Sequence, residues 1–203
     1  MNILDLFAGK GGELRRLKIE ALGHKYTTLD IDPRFGCDIT ADIMTIDDLG
    51  LYDFVWASVP CETWSVASIG HHWTGGKGAY IPKSKNASYM IDLVKHTIRL
   101  LNETAKTAWV IENPRGVLRK MDFMQEIRRE TVTYCQYGEN RMKPTDLWIC
   151  GLNWKPRPMC KNGDNCHEAA PRGSRTGTQG MKNYADKSVV PFELWKEILE
   201  AIK

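Results

Sequence analysis

The residues best suited to covalent chemistry are a cysteine and a glutamate, each at the end of an apolar run. Cys61 follows Pro60 directly after the run 52–58, and proline fixes the backbone that enters the loop. On the rim of a site, near helix N-termini, such a thiol can be partly ionised and act as a nucleophile. Glu112 ends the run 107–111, where a desolvated carboxyl that keeps a proton can hydrogen-bond to a ring nitrogen. The alternatives are a small buried cysteine and a strand-end acid that faces water.

A glycine-rich turn followed by an acidic residue indicates a ligand that contains a nucleoside. Gly9, Gly11 and Gly12 follow the apolar run 2–7, so the backbone there can approach a ligand closely, and the next helix offers free N–H groups. Asp30 lies 18 residues beyond Gly12, at the end of the next strand, where a carboxylate can accept hydrogen bonds from ribose hydroxyls. The alternative is a tight turn and a solvated acid.

Alternating strand-like and helix-like segments must position these residues. Helical periodicity predicts helices over 13–22, 88–101 and 190–202, and apolar runs predict strands over 2–7, 25–31, 52–58, 107–111, 131–136 and 147–150. A long glycine-bearing loop is expected over 60–85. Since strands alternate with helices, we expect an α/β fold with a mostly parallel sheet and helices on both faces. The glycine-rich turn, Asp30, the Cys61 loop and Glu112 then meet at the carboxyl ends of the strands, where such sheets bind ligands.

The composition is that of an ordinary globular protein with one domain. The 203 residues are 42% hydrophobic and 26% charged, and the net charge is only +3. Residues 141–187 hold nine lysines and arginines against four acids, a balance that fits contact with phosphates. Neither a secretory signal nor a membrane-spanning apolar stretch is seen in the sequence. We therefore expect a cytoplasmic location, no membrane partner and six reduced cysteines.

Five segments in register resemble the motifs of the cytosine-5 DNA methyltransferase family. They are 5–12 (DLFAGKGG), Pro60-Cys61 followed by 63–65 (TWS), Glu112-Asn113, Tyr137-Gly138 and 188–190 (SVV), in the family's order. The resemblance covers most of the chain except 151–182. It implies a Rossmann-like class I methyltransferase fold, with a catalytic domain over 1–150, a small irregular target-recognition segment over 151–182 and a C-terminal helix over 183–203. The implied cofactor is S-adenosyl-L-methionine, which leaves S-adenosyl-L-homocysteine, and the implied partner is double-stranded DNA.

The resemblance also implies a role for each motif residue. Cys61 would add to carbon 6 of a flipped-out cytosine, and Glu112 would stabilise the adduct by hydrogen bonds at N3 and the exocyclic amine. Asp30 would hold the ribose, and the loop 66–85 is a candidate lid over the flipped base. In that loop His71, His72 and Trp73 either contact nucleic acid or are ordinary loop residues. The expected cofactor-binding residues are Phe7, Ala8, Gly9, Gly11, Gly12, Asp30, Ile31, Asp42, Ile43, Pro60, Ser188 and Val189.

The chain departs from the family in one motif and in length. After Tyr137-Gly138 the family usually has Gln-x-Arg-x-Arg, whereas this chain has 139–145 (ENRMKPT). Arg141 and Lys143 are therefore expected to supply the catalytic positive charge, and Thr145 stands where the last arginine belongs. Only 151–182 is available for target recognition, which implies a short recognition sequence, weak specificity or a partner protein. An enzyme of the same chemistry that acts on RNA and a catalytically weak binding subunit are the alternatives.

A group of cysteines and a histidine makes zinc conceivable in the short recognition segment. The residues are Cys160, Cys166 and His167, with Cys150 upstream. Their spacing matches no common zinc pattern, and adjacent Cys-His ligands are geometrically awkward, so no metal site is assigned. Phosphate contacts are expected from the basic side chains of the segment, with solvated loop charges as the alternative: Arg157, Lys161, Arg172, Arg175 and Lys182.

Overall fold

A computed structural model describes residues 1–76, 79–169 and 188–202 of the chain. The helices that lie within these ranges are α1 (Gly9–Ala21), α2 (Ile69–His72), α3 (Lys85–Thr104) and α4 (Phe192–Ala201). The strands are β1 (Asn2–Leu6), β2 (Lys25–Asp30), β3 (Ile39–Thr40), β4 (Tyr52–Ser58), β5 (Trp73–Gly76), β6 (Ala79–Pro82), β7 (Ala105–Pro114), β8 (Arg129–Thr133) and β9 (Pro144–Cys150). None of the helices in the described part of the chain has both the length and the apolar character needed to cross a bilayer.

Seven of these strands form one sheet, in the order β3-β2-β1-β4-β7-β9-β8. The pairings from β3 through to β7 are parallel, whereas β9 runs antiparallel to both β7 and β8. The strand order reverses between β1 and β4, and open α/β sheets bind ligands in the crevice outside the carboxyl ends at such a point. The predicted α/β fold, Rossmann-like with a mostly parallel sheet, is confirmed.

Alternating side chains of the central strands pack against two helical layers. Phe54 and Trp56 of β4 point to the face that α4 covers, and the Trp56 ring stacks on Trp195 at 4.4 Å between centroids. Val55 and Ala57 point to the opposite face, in a cluster with apolar residues of α3. Burying each large apolar side chain contributes about 1.5–3 kcal/mol, so this period-two alternation fixes the strand between its layers. The expectation of helices on both faces is confirmed.

The segment predicted as a long loop contains a short helix and a hairpin. After α2, β5 and β6 pair antiparallel, from Trp73 opposite Pro82 to Gly76 opposite Ala79. Trp73 is buried, stacks on Trp64 at 5.1 Å and donates its indole N–H to the Thr63 carbonyl at 2.7 Å. Neither alternative for Trp73, a contact with nucleic acid or an ordinary loop residue, describes its place, because this ring belongs to the core and anchors the hairpin.

Candidate active site

A cavity of about 410 Å³ lies at the carboxyl ends of β1, β4 and β7. It receives side chains from five separate parts of the sequence, and the parallel pairing of these strands brings three of the five to one edge of the sheet. Seven residues that the sequence predicts for the site line this cavity together: Phe7, Ala8, Pro60, Cys61, Glu112, Lys143 and Ser188.

The register between β4 and β7 brings Cys61 close to Glu112. Ser58, the last residue of β4, pairs with Glu112, and Cys61 follows in the loop that leaves β4. Asn113 is buried, and its side-chain amide donates to the Val59 carbonyl at 2.9 Å. This bond fastens the loop to the end of β7. Cys61 is partly exposed and lines the cavity, so its thiol is accessible to a substrate.

A second contact, made possible by a glycine, fixes the same loop at Trp64. The Trp64 carbonyl accepts a hydrogen bond from the Val117 N–H at 2.7 Å. A Cβ added at Gly116 would lie 2.1 Å from that carbonyl oxygen, a distance that backbone atoms cannot tolerate. Gly116 therefore permits the close approach of the chain after β7 to the loop that carries Cys61.

Glu112 is a buried carboxylate with two polar neighbours. It is 4% exposed, accepts a hydrogen bond from the Tyr134 hydroxyl at 2.8 Å, and lies 3.9 Å from Nζ of Lys143. Burial lowers the pKa of Lys143, and the charge of Glu112 acts in the opposite direction. Burial and the adjacent carboxylate raise the pKa of Tyr134 well above its usual value, so the phenol keeps its proton and remains a donor.

The two basic residues expected to supply positive charge occupy different places. Lys143 lines the cavity, with a backbone φ of 26°. Arg141 is 2% exposed and is not among the cavity-lining residues; it donates to Glu139 at 3.0 Å and to the Val189 carbonyl at 3.1 Å. Arg141 thus joins the loop before β9 to the 188–190 segment, and Lys143 is the one of the pair that lines the cavity. Thr145 is buried and donates to the Lys143 carbonyl at 3.1 Å.

The glycine turn differs from its predicted structure because α1 already begins at Gly9. The Gly9 N–H donates to the Asp30 carboxylate at 2.9 Å. The Gly12 N–H donates to the Ala8 carbonyl at 2.9 Å, and a Cβ at Gly12 would lie 2.8 Å from the Ala8 Cβ and 3.1 Å from Thr28. Gly12 therefore serves the close packing of α1 on β2 rather than an approach to a ligand.

Gly11 also faces the protein, since a Cβ there would lie 2.6 Å from a guanidinium nitrogen of Arg15. Of the residues in this turn, Phe7 and Ala8 are the ones that reach the cavity. Phe7 has a φ of 57°, an uncommon left-handed conformation for a bulky residue at the mouth of a site.

The other residues predicted for the cofactor lie at the same sheet edge, outside the cavity lining. Asp30 is 8% exposed and also accepts the Asp32 N–H at 3.0 Å, whereas Ile31 is 62% exposed. Asp42 accepts the Met44 N–H at 2.9 Å and caps a short 3₁₀ turn. Ile43 was expected to bind the cofactor, but its side chain is buried in the core.

The sequence reasoning missed Arg15, which lines the cavity from α1. Its guanidinium pairs with Asp5, which also accepts the Tyr26 hydroxyl, and all three groups are buried. Burial raises the pKa of Asp5, and the Arg15 charge opposes that shift. The available signal was an acid inside the apolar run 2–7, because such an acid needs a partner cation in the folded protein.

A second groove of about 510 Å³ adjoins the cavity and shares Val66, Arg115 and Pro144 with it. We call it the basic groove, because Arg115, Arg119 and Lys120 line it beside Ile69 and Tyr80. From the sequence, phosphate contacts were expected instead from basic residues later in the chain, between 157 and 182.

Of those later charges, Arg157 is engaged within the protein, with Glu197 and with the Gln136 carbonyl. Lys161 is exposed. Arg172, Arg175 and Lys182 lie outside the described residues.

No family model matches the sequence, and no curated protein matches it. Solved structures similar to this chain include the Dnmt2 methyltransferase of S. pombe, at 14% identity over 76% of this chain and a TM-score of 0.47. Another is the hMettl16 catalytic domain in complex with a MAT2A 3′UTR hairpin (12% identity, 77% of this chain, TM-score 0.49). A third is a type I restriction-modification methyltransferase subunit of Streptococcus thermophilus (17%, 73%, 0.41). The chain covers 50%, 67% and 39% of these three chains, and its fold assignment rests on the strand order given above.

Proposed function

We propose that the chain is an S-adenosyl-L-methionine-dependent enzyme that methylates carbon 5 of cytosine in DNA, with Cys61 as the nucleophile. The observation that carries the proposal is the shared cavity. Cys61 and Glu112 line it from neighbouring strand ends, and Phe7 and Ser188, from the motifs assigned to the cofactor, line it as well. The order of the five sequence motifs agrees with this arrangement.

The cavity suits a nucleoside cofactor beside a pyrimidine. Its volume of about 410 Å³ falls in the range of roughly 300–1,000 Å³ that is typical of small-molecule sites. Phe7, Ala8 and Ser188 would hold S-adenosyl-L-methionine, and Asp30, bonded to the adjacent Gly9, would accept ribose hydroxyls. When bound, the cofactor supplies an electrophilic methyl group.

The chain's own side chains would carry out the chemistry on the cytosine. The Cys61 thiolate adds to carbon 6, which forms a C–S bond and makes carbon 5 nucleophilic. Glu112 hydrogen-bonds at N3 and the exocyclic amine, and Lys143 beside it adds positive charge where electron density accumulates. Once carbon 5 carries the methyl group, its proton leaves to a water molecule and the C–S bond breaks, which releases the Cys61 thiolate and 5-methylcytosine.

The basic groove supports a nucleic-acid substrate. Arg115 borders both the groove and the cavity, so a bound strand could place phosphates against the groove while one base enters the cavity. A ring carbon is not reachable inside a duplex, so the target base must be flipped out. We propose double-stranded DNA as the partner, with residues 151–182 as a reduced target-recognition segment.

The purified chain is incubated with isotopically labelled S-adenosyl-L-methionine in two parallel reactions, one with duplex DNA and one with tRNA. Nucleosides from each digested product are then identified by mass spectrometry. We expect 5-methyl-2′-deoxycytidine from duplex DNA, its loss in Cys61→Ala, and its retention in Cys150→Ala, a matched control because Cys150 is an exposed thiol outside the cavity. Methylation of tRNA alone would replace DNA by RNA, and a methylated exocyclic amine would overturn the proposed chemistry. A folded, DNA-binding protein without turnover would favour the binding subunit.

A further inference from the structure

Three cysteines and a histidine gather beside the turn that follows β8. They are Cys135, Cys160, Cys166 and His167, and one ligand atom from each lies within 4.8 Å of all the others. Cys135 and Cys160 are buried, and Cys166 is exposed. Three sulfur atoms with one imidazole nitrogen form a ligand set typical of structural zinc.

Three of the separations between ligand atoms fit a single tetrahedral ion. The Sγ atoms of Cys135 and Cys166 are 3.6 Å apart, and Nδ1 of His167 lies 3.5 Å from Sγ of Cys166 and 3.7 Å from Sγ of Cys160. Zinc bonds of about 2.3 Å to sulfur and 2.0–2.1 Å to nitrogen place tetrahedral ligands roughly 3.5–3.8 Å from one another. The two buried sulfur atoms, Cys135 and Cys160, are 3.1 Å apart, farther than the roughly 2.05 Å of a disulfide bond but closer than two zinc-bound sulfur atoms, so a bound ion would move them slightly apart.

Hydrogen bonds around the cluster hold its members in place. The Cys160 N–H donates to the Thr133 hydroxyl at 3.1 Å, and the Gln136 side-chain amide donates to Sγ of Cys166 at 3.4 Å. The Gln136 donor would orient the Cys166 thiolate and neutralise part of its charge, whereas the Cys160 bond fixes the backbone that carries its thiol. Thr133 and Gln136 flank Cys135 in sequence, so the turn after β8 and the 160–167 segment are bound to each other on both sides of the cluster.

We infer that Cys135, Cys160, Cys166 and His167 bind one zinc ion, which fastens the segment after β9 to the catalytic sheet. Residues 151–169 contain no helix or strand, so a metal would supply the stability that a core of their own cannot. Binding releases the three thiol protons and leaves the imidazole neutral. Cys135 also adjoins Tyr134, the donor to Glu112, so the ion would brace the turn behind the candidate acid. The inference does not depend on which nucleic acid is methylated.

The test measures zinc in the purified full chain, prepared without chelator, by inductively coupled plasma mass spectrometry. We expect about one zinc per chain in the wild type and in Cys150→Ser, whose thiol is exposed and outside the cluster. Cys160→Ser and Cys166→Ser should each lose most of the metal, and Cys166→His, which supplies a nitrogen ligand in place of the sulfur, should retain it.

A second measurement covers the case in which the serine variants do not fold. The wild type, stripped with a chelator and reloaded with Co²⁺, should show thiolate-to-cobalt charge-transfer absorption and the visible bands of tetrahedral coordination, and its melting temperature should rise on reloading. The inference is overturned if the reduced wild type takes up no zinc and no cobalt, if Cys135 and Cys160 are found in a disulfide, or if zinc is lost in Cys150→Ser but kept in Cys160→Ser.

Discussion

Glu112 depends on its neighbours for orientation, because a buried carboxylate without donors would be costly. The Tyr134 hydroxyl supplies one donor at 2.8 Å, and its ring lies 4.6 Å from Nζ of Lys143. The three side chains come from β7, from the turn after β8 and from the loop before β9. The acid is thus held by two other segments, of which the sequence motifs had associated Lys143 with the site but not Tyr134.

Replacing Tyr134 by phenylalanine should impair methyl transfer more than folding. A hydrogen bond to a charged group contributes about 1.5–3 kcal/mol, so its loss should lower kcat/KM by roughly 10- to 100-fold if the carboxyl must be held for catalysis. Tyr137→Phe is the control, since that buried hydroxyl accepts the Arg157 N–H and does not touch Glu112. A variant Tyr134→Phe with full activity per folded molecule would contradict a positioning role.

Lys143 should make stability depend on pH in a defined direction. Burial lowers the pKa of its ammonium, so between the folded and the unfolded pKa values the unfolded chain binds more protons. Stability contributed through this group therefore rises as pH increases through that window, and the full cost of the buried charge is present below it. In thermal melts across alkaline pH, Lys143→Met should lack this rise, so the melting temperature of the wild type should increase relative to that of the variant as pH increases. A difference that stays constant with pH would refute the assignment.

The loop that carries Cys61 is held at two points by the chain that ends β7. Asn113 bonds to the start of the loop and Gly116 allows contact at its end. Both contacts follow from the parallel pairing of β4 and β7, which sets the two strand ends side by side. The loop that carries Cys61 and the strand end that carries Glu112 are therefore joined directly.

Adding a methyl group at Gly116 should therefore displace the loop. Gly116→Ala would place a Cβ against the Trp64 carbonyl, and we expect a lower melting temperature and a loss of methyl transfer. Gly70→Ala is the matched control, since a Cβ at Gly70, in α2, meets nothing within 4 Å, and alanine stabilises a helix by roughly 0.5–1 kcal/mol relative to glycine. Equal behaviour of the two variants in melts and activity assays would show that the loop contact is dispensable.

Across the whole molecule, the pattern of apolar runs predicted a mostly parallel sheet and the meeting of Cys61 with Glu112 at one of its edges. It did not predict β3 or the β5–β6 hairpin, and it ended β7 at 111 rather than Pro114 and β8 at 136 rather than Thr133. It did not predict that α1 begins at Gly9, because the helix has no side-chain cap and starts in glycines, which are poor helix formers. Packing of Gly12 on Thr28 overrides that preference.

Nor could spacing reveal the fourth member of the cysteine cluster. The sequence analysis considered Cys150 as a fourth ligand, but Cys150 is exposed at the end of β9 and lies outside the cluster. The fourth member is Cys135, which follows β8 and reaches the cluster because β8 and β9 pair. Contacts between residues far apart in sequence leave no local pattern.

The basic groove makes a prediction about the whole binding surface. Lys120→Ala removes an exposed cation from the groove, so affinity for duplex DNA should fall and the slope of log Kd against log salt should decrease by about 0.9 for one lost phosphate contact. Lys25→Ala, at the amino end of β2 and away from the groove, should leave both unchanged. Fluorescence anisotropy over a salt series distinguishes the two; equal effects would remove the groove from the interface.

The most direct test of the central claim is covalent capture of the enzyme on its substrate. Duplex DNA that contains 5-fluorocytosine has no proton to lose at carbon 5, so the Cys61 adduct formed in the presence of S-adenosyl-L-methionine should persist as a denaturation-resistant complex. Peptide mapping should place the link at Cys61, and Cys61→Ser should form no complex. Capture that survives in Cys61→Ser, or a link at another cysteine, would contradict the account.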